Sequence, residues 1–170
     1  LMFQKVKRYF LELNDTDLKD LSKKFSLSFQ INLEDQKDFK INKFFYKQVG
    51  LEHYWRDRLI WSDKEWLKYV SNVNLETWIL RKGHDLVGFY EQEFHQDKDE
   101  VELINMGILK EYRGNKLGSA LLNHSISNAF EKKPKRMWVH TCSLDHKYAL
   151  QNYKSKGFKI FKEEEIDFVA

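Results

Sequence analysis

Between Phe25 and Leu33 apolar and polar residues alternate without a break. Phe25, Leu27, Phe29, Ile31 and Leu33 fall on one side, and Ser26, Ser28, Gln30 and Asn32 on the other. A period of two predicts a half-buried strand. Residues 9–13 predict an additional strand before it. The period then changes. Phe39, Phe45 and Val49 share one helical stripe, which ends at Gly50, a candidate C-cap. Ser62 and Glu65 have capping-box spacing and open a second helix carrying Trp66, Leu67 and Val70. Residues 77–81, 86–94 and 100–108 read as three strands of an antiparallel meander, with turns at 82–85 and 96–99. A helix over 117–132 turns Leu117, Ala120, Leu121, Ile126, Ala129 and Phe130 inward, and Pro134 ends that region. A strand over 136–142, a helix over 147–156 closed by Gly157 and a last strand over 158–164 complete the chain. The order predicts an α/β fold with a mixed sheet.

Composition narrows this to one globular domain. The 170 residues are 42% hydrophobic and 32% charged, enough to bury a real core, with one proline and no linker-like tract. Net charge is only +3, so a nucleic-acid partner is not expected. The run Lys132, Lys133, Lys135, Arg136 is the one feature that keeps such a role as a minor alternative. Cys142 is the sole cysteine, which excludes an internal disulfide and suits a reducing cytoplasm. Lys5, Lys7 and Arg8 near the N-terminus are followed by no long apolar run, so neither a signal peptide nor a membrane span is expected. Six histidines are scattered without ligand spacing, and no metal is expected.

The segment 108–122 carries the chemistry: Ile-Leu-Lys-Glu-Tyr-Arg-Gly-Asn-Lys-Leu-Gly-Ser-Ala-Leu-Leu. A buried strand runs into a turn with Arg113, Gly114 and Gly118, and the turn opens a helix. Backbone N–H groups converge there, the helix start adds partial positive charge, and the glycines permit close approach. Such a turn suits a pyrophosphate, with Lys110, Arg113 and Lys116 adding charge. The Gly-Lys-Ser/Thr ending of a Walker A loop is absent. A dinucleotide fold is disfavoured, because its glycine turn belongs to a parallel βαβ unit rather than the end of a meander.

Arg113-Gly114-Asn115-Lys116-Leu117-Gly118-Ser119 resembles the acetyl-CoA signature of GNAT-superfamily N-acetyltransferases, Gln/Arg-x-x-Gly-x-Gly/Ala. Arg113 and Gly118 match it, and Lys116 stands where the middle glycine is usual. Ala149, Tyr153, Gly157 and Phe158 resemble the family's later Ala-x-x-x-Tyr-x-x-x-Gly-Phe segment. The likeness covers 77–164 and extends to 25–69, with residues 1–24 read as an extension to the common fold. It implies a mostly antiparallel sheet with a splayed strand pair and helices on both faces.

The resemblance also implies roles. Acetyl-CoA would be the co-substrate, its acetyl group passing directly to an amine in a ternary complex. Ile108, Leu109 and Lys110 would meet the pantetheine arm, and 113–119 (Arg113, Gly114, Asn115, Lys116, Leu117, Gly118, Ser119) the pyrophosphate. A bulge within Asn105-Met106-Gly107 would splay the strand. His146 replaces an asparagine that often lies near the cofactor, and Tyr153 matches the general acid toward the sulfur. Glu102 lies eleven positions before Arg113, as does the glutamate base of the histone-acetylating branch. Alternation groups Glu102 with Ile104, Met106 and Ile108, apolar neighbours that would raise its pKa; an exposed strand-edge carboxylate is the competing reading. Glu91 and Glu93 are its back-ups, and a water chain is a substitute.

His140 reads as a packing residue on a strand, and Cys142 as a buried apolar group rather than a nucleophile. Tyr54, Trp55 and Trp61 lie in the family's acceptor loop, where rings hold an amine by cation–π contact; core packing is the alternative. The acceptor is a small-molecule amine or a peptide or protein amine, with no membrane partner expected and a homodimer compatible with the family. A non-catalytic acyl-CoA-binding or sensory module is the rival function, motivated by Lys116 and His146.

Overall fold

The capping box expected at Ser62 is formed in the computed structural model, which describes residues 2–169 apart from Asp20, Lys23 and Gln36. Ser62 Oγ accepts from the Glu65 N–H at 3.3 Å, and Glu65 Oε2 accepts from the Ser62 N–H at 2.7 Å. This starts α2 (Asp63–Val70), which turns Trp66 and Val70 inward. Before it, α1 (Phe39–Gly50) is capped by Asp38, whose side chain accepts from the Lys40 N–H at 3.0 Å. Phe45 and Val49 of α1 pack against Ile79, Phe89 and Leu109, with the Phe45 and Phe89 rings stacked at 4.8 Å. Gly50 is the last helical residue, not a left-handed cap beyond it. Its lack of a Cβ serves packing, because a Cβ there would meet Trp55 Cβ at 2.5 Å.

Among the described residues seven strands form one sheet, in the order β2-β3-β4-β5-β6-β1-β7. The meander is β3 (Leu75–Lys82), β4 (Asp85–His95) and β5 (Glu100–Ile108). From β5 the chain passes through α3 (Leu117–Glu131) to β6 (Arg136–Cys142), which lies parallel to β5. Every other pairing is antiparallel. α3 and the short α4 (Ala149–Ser155) cover one face, where Leu121, Leu122 and Ile126 are fully buried beside Leu11, Leu103 and Val139. Each such aliphatic side chain contributes about 1.5–3 kcal/mol. α1 and the chain leading to α2 cover the other face. This is the mixed sheet with helices on both faces that was expected. No helix among the described residues is long and apolar enough to cross a membrane.

Three boundaries differ from expectation, each for want or gain of a partner strand. β2 is only Phe29–Leu33, because Phe29 pairs with Lys82, the last residue of β3. The alternating residues 25–28 therefore have no strand to join; they turn, with the Phe29 N–H on Ser26 O at 3.0 Å and Leu27 fully exposed. Conversely, β1 runs from Phe3 to Leu13 and β7 from Lys159 to Val169, since each supplies the other's hydrogen bonds. The 1–24 segment thus contributes an interior strand, set between β6 and β7; Leu1, Asp20 and Lys23 of that segment lie outside the described residues.

Two features shape the opening in the sheet. β5 and β6 pair only from Glu100–Arg136 to Leu103–Val139, after which the strands part. On the other edge of β5, Glu91 faces Asn105 while Gln92 faces Leu103, so Ile104 is an unopposed extra residue. This bulge lies one position before the expected 105–107 and reverses the alternation. Glu102 consequently does not share a face with Met106 and Ile108. It falls with Asn105 and Gly107 on the α1 side, where a Gly107 Cβ would strike Val49, whereas Ile108 joins the α3-side core.

Candidate active-site cleft

The parted strands open into a cleft of about 930 Å³. Its floor is the second half of β5 and the end of β6, and the turn before α3 forms its mouth. α4 and the loop before it make one wall, and the loop 53–58 the other. Val6 and Arg8 of β1, with Ile166 and Phe168 of β7, close the far end.

At the mouth the chain is shaped for an anion. Gly114 takes φ +87° and Lys116 φ +59°, so the turn passes twice through left-handed backbone. Lys116 is the residue preceding α3 and makes no side-chain cap. The glycine usual at this position adopts that conformation freely, whereas lysine does so at a cost of about 1 kcal/mol. The first helical N–H groups, of Leu117, Gly118 and Ser119, have no ladder partner by helix geometry. Among the described residues, nothing beyond the adjoining residues and the helix's own backbone lies within 4 Å of a Cβ placed on Gly114 or Gly118, which leaves room for a ligand against the backbone. Arg113 and Lys116 border the same space. Open glycines, orphan donors and two cations fit a pyrophosphate, so these residues suit the cofactor expected from the sequence.

Other expected cofactor contacts divide. Ile108 and Tyr153 line the cleft, as do His146, Leu117, Gly118 and Ser119. Leu109, Lys110 and Asn115 do not. The Leu109 N–H donates to Val87 O at 2.8 Å and its side chain joins the smaller core. Asn115 Nδ2 turns back to Tyr112 O at 3.3 Å. Lys110 Nζ reaches Glu52 Oε1 at 3.2 Å. Glu52 also accepts from Arg113 Nη1 at 2.7 Å, while Arg113 Nε donates to Ile108 O at 3.2 Å. Hydrogen bonds from Arg113 and then Lys110 hold the Glu52 carboxyl below the usual range. His53 and His146 stand edge to face at 5.9 Å. Burial and then the Arg113 charge hold both rings below the usual imidazole range.

Tyr153 is buried on α4 with its ring edge-on to Phe158 at 5.7 Å. Burial, with Asp145 nearby, pushes its phenol well above the usual range, so it enters any reaction protonated. Asp145 braces the walls: Trp55 Nε1 donates to it at 3.2 Å, Thr141 Oγ1 at 2.6 Å and the Cys142 N–H at 2.9 Å. Burial and Asp145 also raise the Cys142 thiol, which keeps it from being a ready nucleophile.

Of the acceptor aromatics, Tyr54 and Trp55 line the cleft and Trp61 does not. Trp61 packs edge-on against Trp66 at 5.0 Å and Tyr69 at 5.5 Å, beneath the Arg58 guanidinium at 4.9 Å. That guanidinium also lies 4.2 Å from the Tyr69 ring centre and meets Glu91 Oε1 at 3.3 Å. Although burial opposes its charge, Glu91 and Tyr69 hold Arg58 more firmly protonated than usual. Glu91, a back-up base, is thus a buried structural carboxylate that also accepts from Asn42 at 2.6 Å, Tyr69 at 3.1 Å and Asn105 at 2.9 Å. Glu102 and Glu93 are likewise engaged, on either side of His95, at 2.9 Å from Nε2 and 3.2 Å from Nδ1. Neither lines the cleft.

The cleft also gathers residues to which the sequence reading gave no role in the site: Arg8, His53, Asp57 and Asp145, together with Asn105, expected only in the bulge, and His140, read as a packing residue. Arg8 was hidden because its strand lacks apolar alternation. Asp145 and His53 had only their proximity to matched segments as a signal. Among the described residues no group of three His, Cys, Asp or Glu is placed to hold a metal ion.

The model of the Acetyltransferase (GNAT) family matches residues 38–158. No curated protein sequence matches the chain at a significant level. Among solved structures, a GCN5-related N-acetyltransferase from Sphaerobacter thermophilus superposes with TM-score 0.74 at 9% identity, covering 97% of this chain and 52% of that one. An aminoglycoside acetyltransferase from an uncultured soil metagenomic sample gives TM-score 0.63 at 15% identity, covering 84% and 95%. The ribosomal-protein-S18-alanine N-acetyltransferase of Escherichia coli gives 0.59 at 20% identity, covering 77% of each chain. A conserved Staphylococcus epidermidis protein of unknown function gives 0.64 at 15% identity, and this chain spans 61% of its length. At these identities the likeness is one of fold, and the chain spans between half and two thirds of some of these longer proteins.

Proposed function

The chain belongs to the GNAT acetyltransferase family, and from that premise we propose that it moves the acetyl group of acetyl-CoA directly to a primary amine within a ternary complex. The observation that carries this reading is the cleft itself: an anion-shaped turn at its mouth, parted strands along its floor and a protonated Tyr153 on its wall. When bound, acetyl-CoA supplies a thioester whose carbonyl carbon accepts the amine. Backbone N–H groups at 117–119, with Arg113 and Lys116, hold the pyrophosphate. The edge of β5 beyond Leu103, including Ile108, offers backbone groups to the pantetheine arm and the carbonyl oxygen. Tyr153 donates its proton to the departing sulfur. Tyr54 and Trp55 line the cleft where the acceptor would enter, and their rings would contact it. The acceptor class is a small-molecule, peptide or protein amine, and a cytoplasmic setting fits the single unpaired Cys142.

Titration calorimetry with acetyl-CoA, followed by thiol release in the presence of amines, tests the reading. Micromolar binding, about −8 kcal/mol, is expected. Tyr153→Phe should retain that binding while turnover falls roughly 100-fold. Absence of binding at millimolar ligand overturns the proposal. The second reading, a non-catalytic acyl-CoA-binding module, is favoured by the strained Lys116 and by the Glu52 carboxylate already on Arg113. Binding without turnover of any amine would select it.

A further inference from the structure

β6 leaves β5 at Val139, so His140 is the first residue of β6 beyond the last paired position, level with the unopposed Ile104 across the gap. Alternation along β6 sends Met137 and Val139 into the main core. His140 therefore points the other way, with Trp138 and Cys142, onto the side where the loop 53–58 folds over the cleft. Phe10 and Trp138 flank the ring at 5.6 and 6.5 Å and set its orientation. Among the described residues no hydrogen bond or ion pair occupies either ring nitrogen, and the side chain is exposed to the cleft. The other two cleft histidines differ. His53 and His146 stand together beside Arg113 at the cofactor mouth.

We propose that His140 is the general base that takes a proton from the acceptor amine. The proposal rests on the acetyltransferase reading above and assigns the base to a residue other than Glu102. Glu102 is cross-strand neighbour to Trp138, is held by His95 and stands outside the cleft, so it acts on His140 only through its charge. One proton passes from the ammonium to a ring nitrogen of His140. The freed lone pair forms the C–N bond as the C–S bond breaks, and Tyr153 gives its phenolic proton to the sulfur. The second nitrogen proton restores the phenol through water, and His140 releases its own proton to solvent.

A base must be neutral before it acts. Desolvation by the surrounding cleft walls, and then the charge of Arg8 on β1, hold the ring below the usual imidazole range. Glu102 on β5, Asp145 before α4 and Asp57 of the 53–58 loop oppose this, and Glu164 on β7 also faces it. Activity should therefore fall as pH drops through a value below about 6.5.

The test compares thiol release from acetyl-CoA with two probe amines, n-butylamine, which is cationic at neutral pH, and hydroxylamine, which is not. His140→Ala should lower kcat with n-butylamine at least 100-fold and erase the acidic limb of its pH profile. It should leave KM for acetyl-CoA unchanged and cost much less with hydroxylamine. Glu102→Gln should stay within a few-fold of the parent at every pH. Retention of the acidic limb in His140→Ala, an equal loss with both amines, or a larger loss in Glu102→Gln would overturn the assignment. Should the parent protein bind acetyl-CoA yet spare both probes, NMR titration of the His140 ring in the acetyl-CoA complex decides. A ring neutral at pH 7 and shifted by n-butylamine upholds the proposal, and a ring protonated at pH 7 or unmoved by n-butylamine overturns it. Failure to bind acetyl-CoA at all would instead remove the parent reading.

Discussion

Glu52 and Arg113 meet across the mouth of the cleft, with Oε2 of one 2.7 Å from Nη1 of the other. The carboxylate comes from the loop that also carries His53, Tyr54 and Trp55, and the guanidinium from the turn shaped for the pyrophosphate. On the proposed reading, an incoming phosphate and Glu52 compete for one cation. Glu52→Gln should tighten acetyl-CoA binding roughly threefold at low salt, with the gain fading as ionic strength rises. Calorimetry at two salt concentrations reads this. Weaker binding in the variant would mean that the bridge organises the turn instead of obstructing it.

Lys116 sits at φ +59° where the family usually has glycine. Lys116→Gly should raise stability by about 0.5–1 kcal/mol, a shift of about 2 °C in Tm, because relief of left-handed strain outweighs the extra freedom of the unfolded glycine. Lys116→Ala keeps the strain and should give no gain. Thermal melts of the two variants side by side separate backbone strain from loss of the lysine charge.

Arg58 and Glu91 are a buried pair that also engages Tyr69, Asn42 and Asn105: Arg58 Nη2 donates to Tyr69 Oη, and Glu91 accepts from Asn42 and Asn105. Removing one member strands the other. Arg58→Met should cost roughly 3–5 kcal/mol, and the double variant with Glu91→Gln much less than twice that. Denaturant unfolding of the cycle measures it. Additive losses would show that the two residues act separately.

The cleft histidines predict an acid-side loss of stability. His53, His140 and His146 all have folded-state pKa values below the ordinary imidazole value. Above about pH 6.5 the rings are neutral in both states and contribute no pH dependence. As pH falls below that value the unfolded chain binds protons that the folded chain refuses, so stability declines. Tm should drop between pH 7.5 and 5.5, and His53→Gln should flatten part of the slope. An unchanged slope in that variant would place the effect on other groups.

What could be read from the sequence follows from what periodicity encodes. Helices were placed because Phe45, Val49, Trp66 and Leu121 repeat at helical spacing and because Ser62 and Glu65 announce a start. The turn before α3 is legible because glycines and a helix start are local features. β1 and β7 were shortened because Lys5, Lys7, Arg8 and the run 162–165 break the apolar alternation, although each strand needs only the other's backbone to extend. Residues 25–28 failed in the opposite sense, with perfect alternation and no partner. Glu102 was misassigned to a face because a single unopposed residue, Ile104, inverts everything before it, and a bulge has no signature in one sequence. Trp61 and Trp55 looked equivalent as aromatic residues of one loop. Only the fold shows that Arg58 gathers Trp61 into a buried box while Asp145 draws Trp55 to the cleft wall.

The place of β1 between β6 and β7 bears on how the molecule assembles. Phe3 pairs with Val169 and Arg8 with both Cys142 and Glu164, contacts among the most distant in the chain. Such contacts raise the mean sequence separation of paired residues and slow folding. The far end of the cleft, with Val6, Arg8, Ile166 and Phe168, therefore takes shape only when the first strand threads between the last two. Without that strand in place, the meander and the turn before α3 would still be specified by nearer contacts while the cleft lacked its far wall, so on the proposed reading the acceptor side of the cleft depends on the longest-range pairings in the molecule.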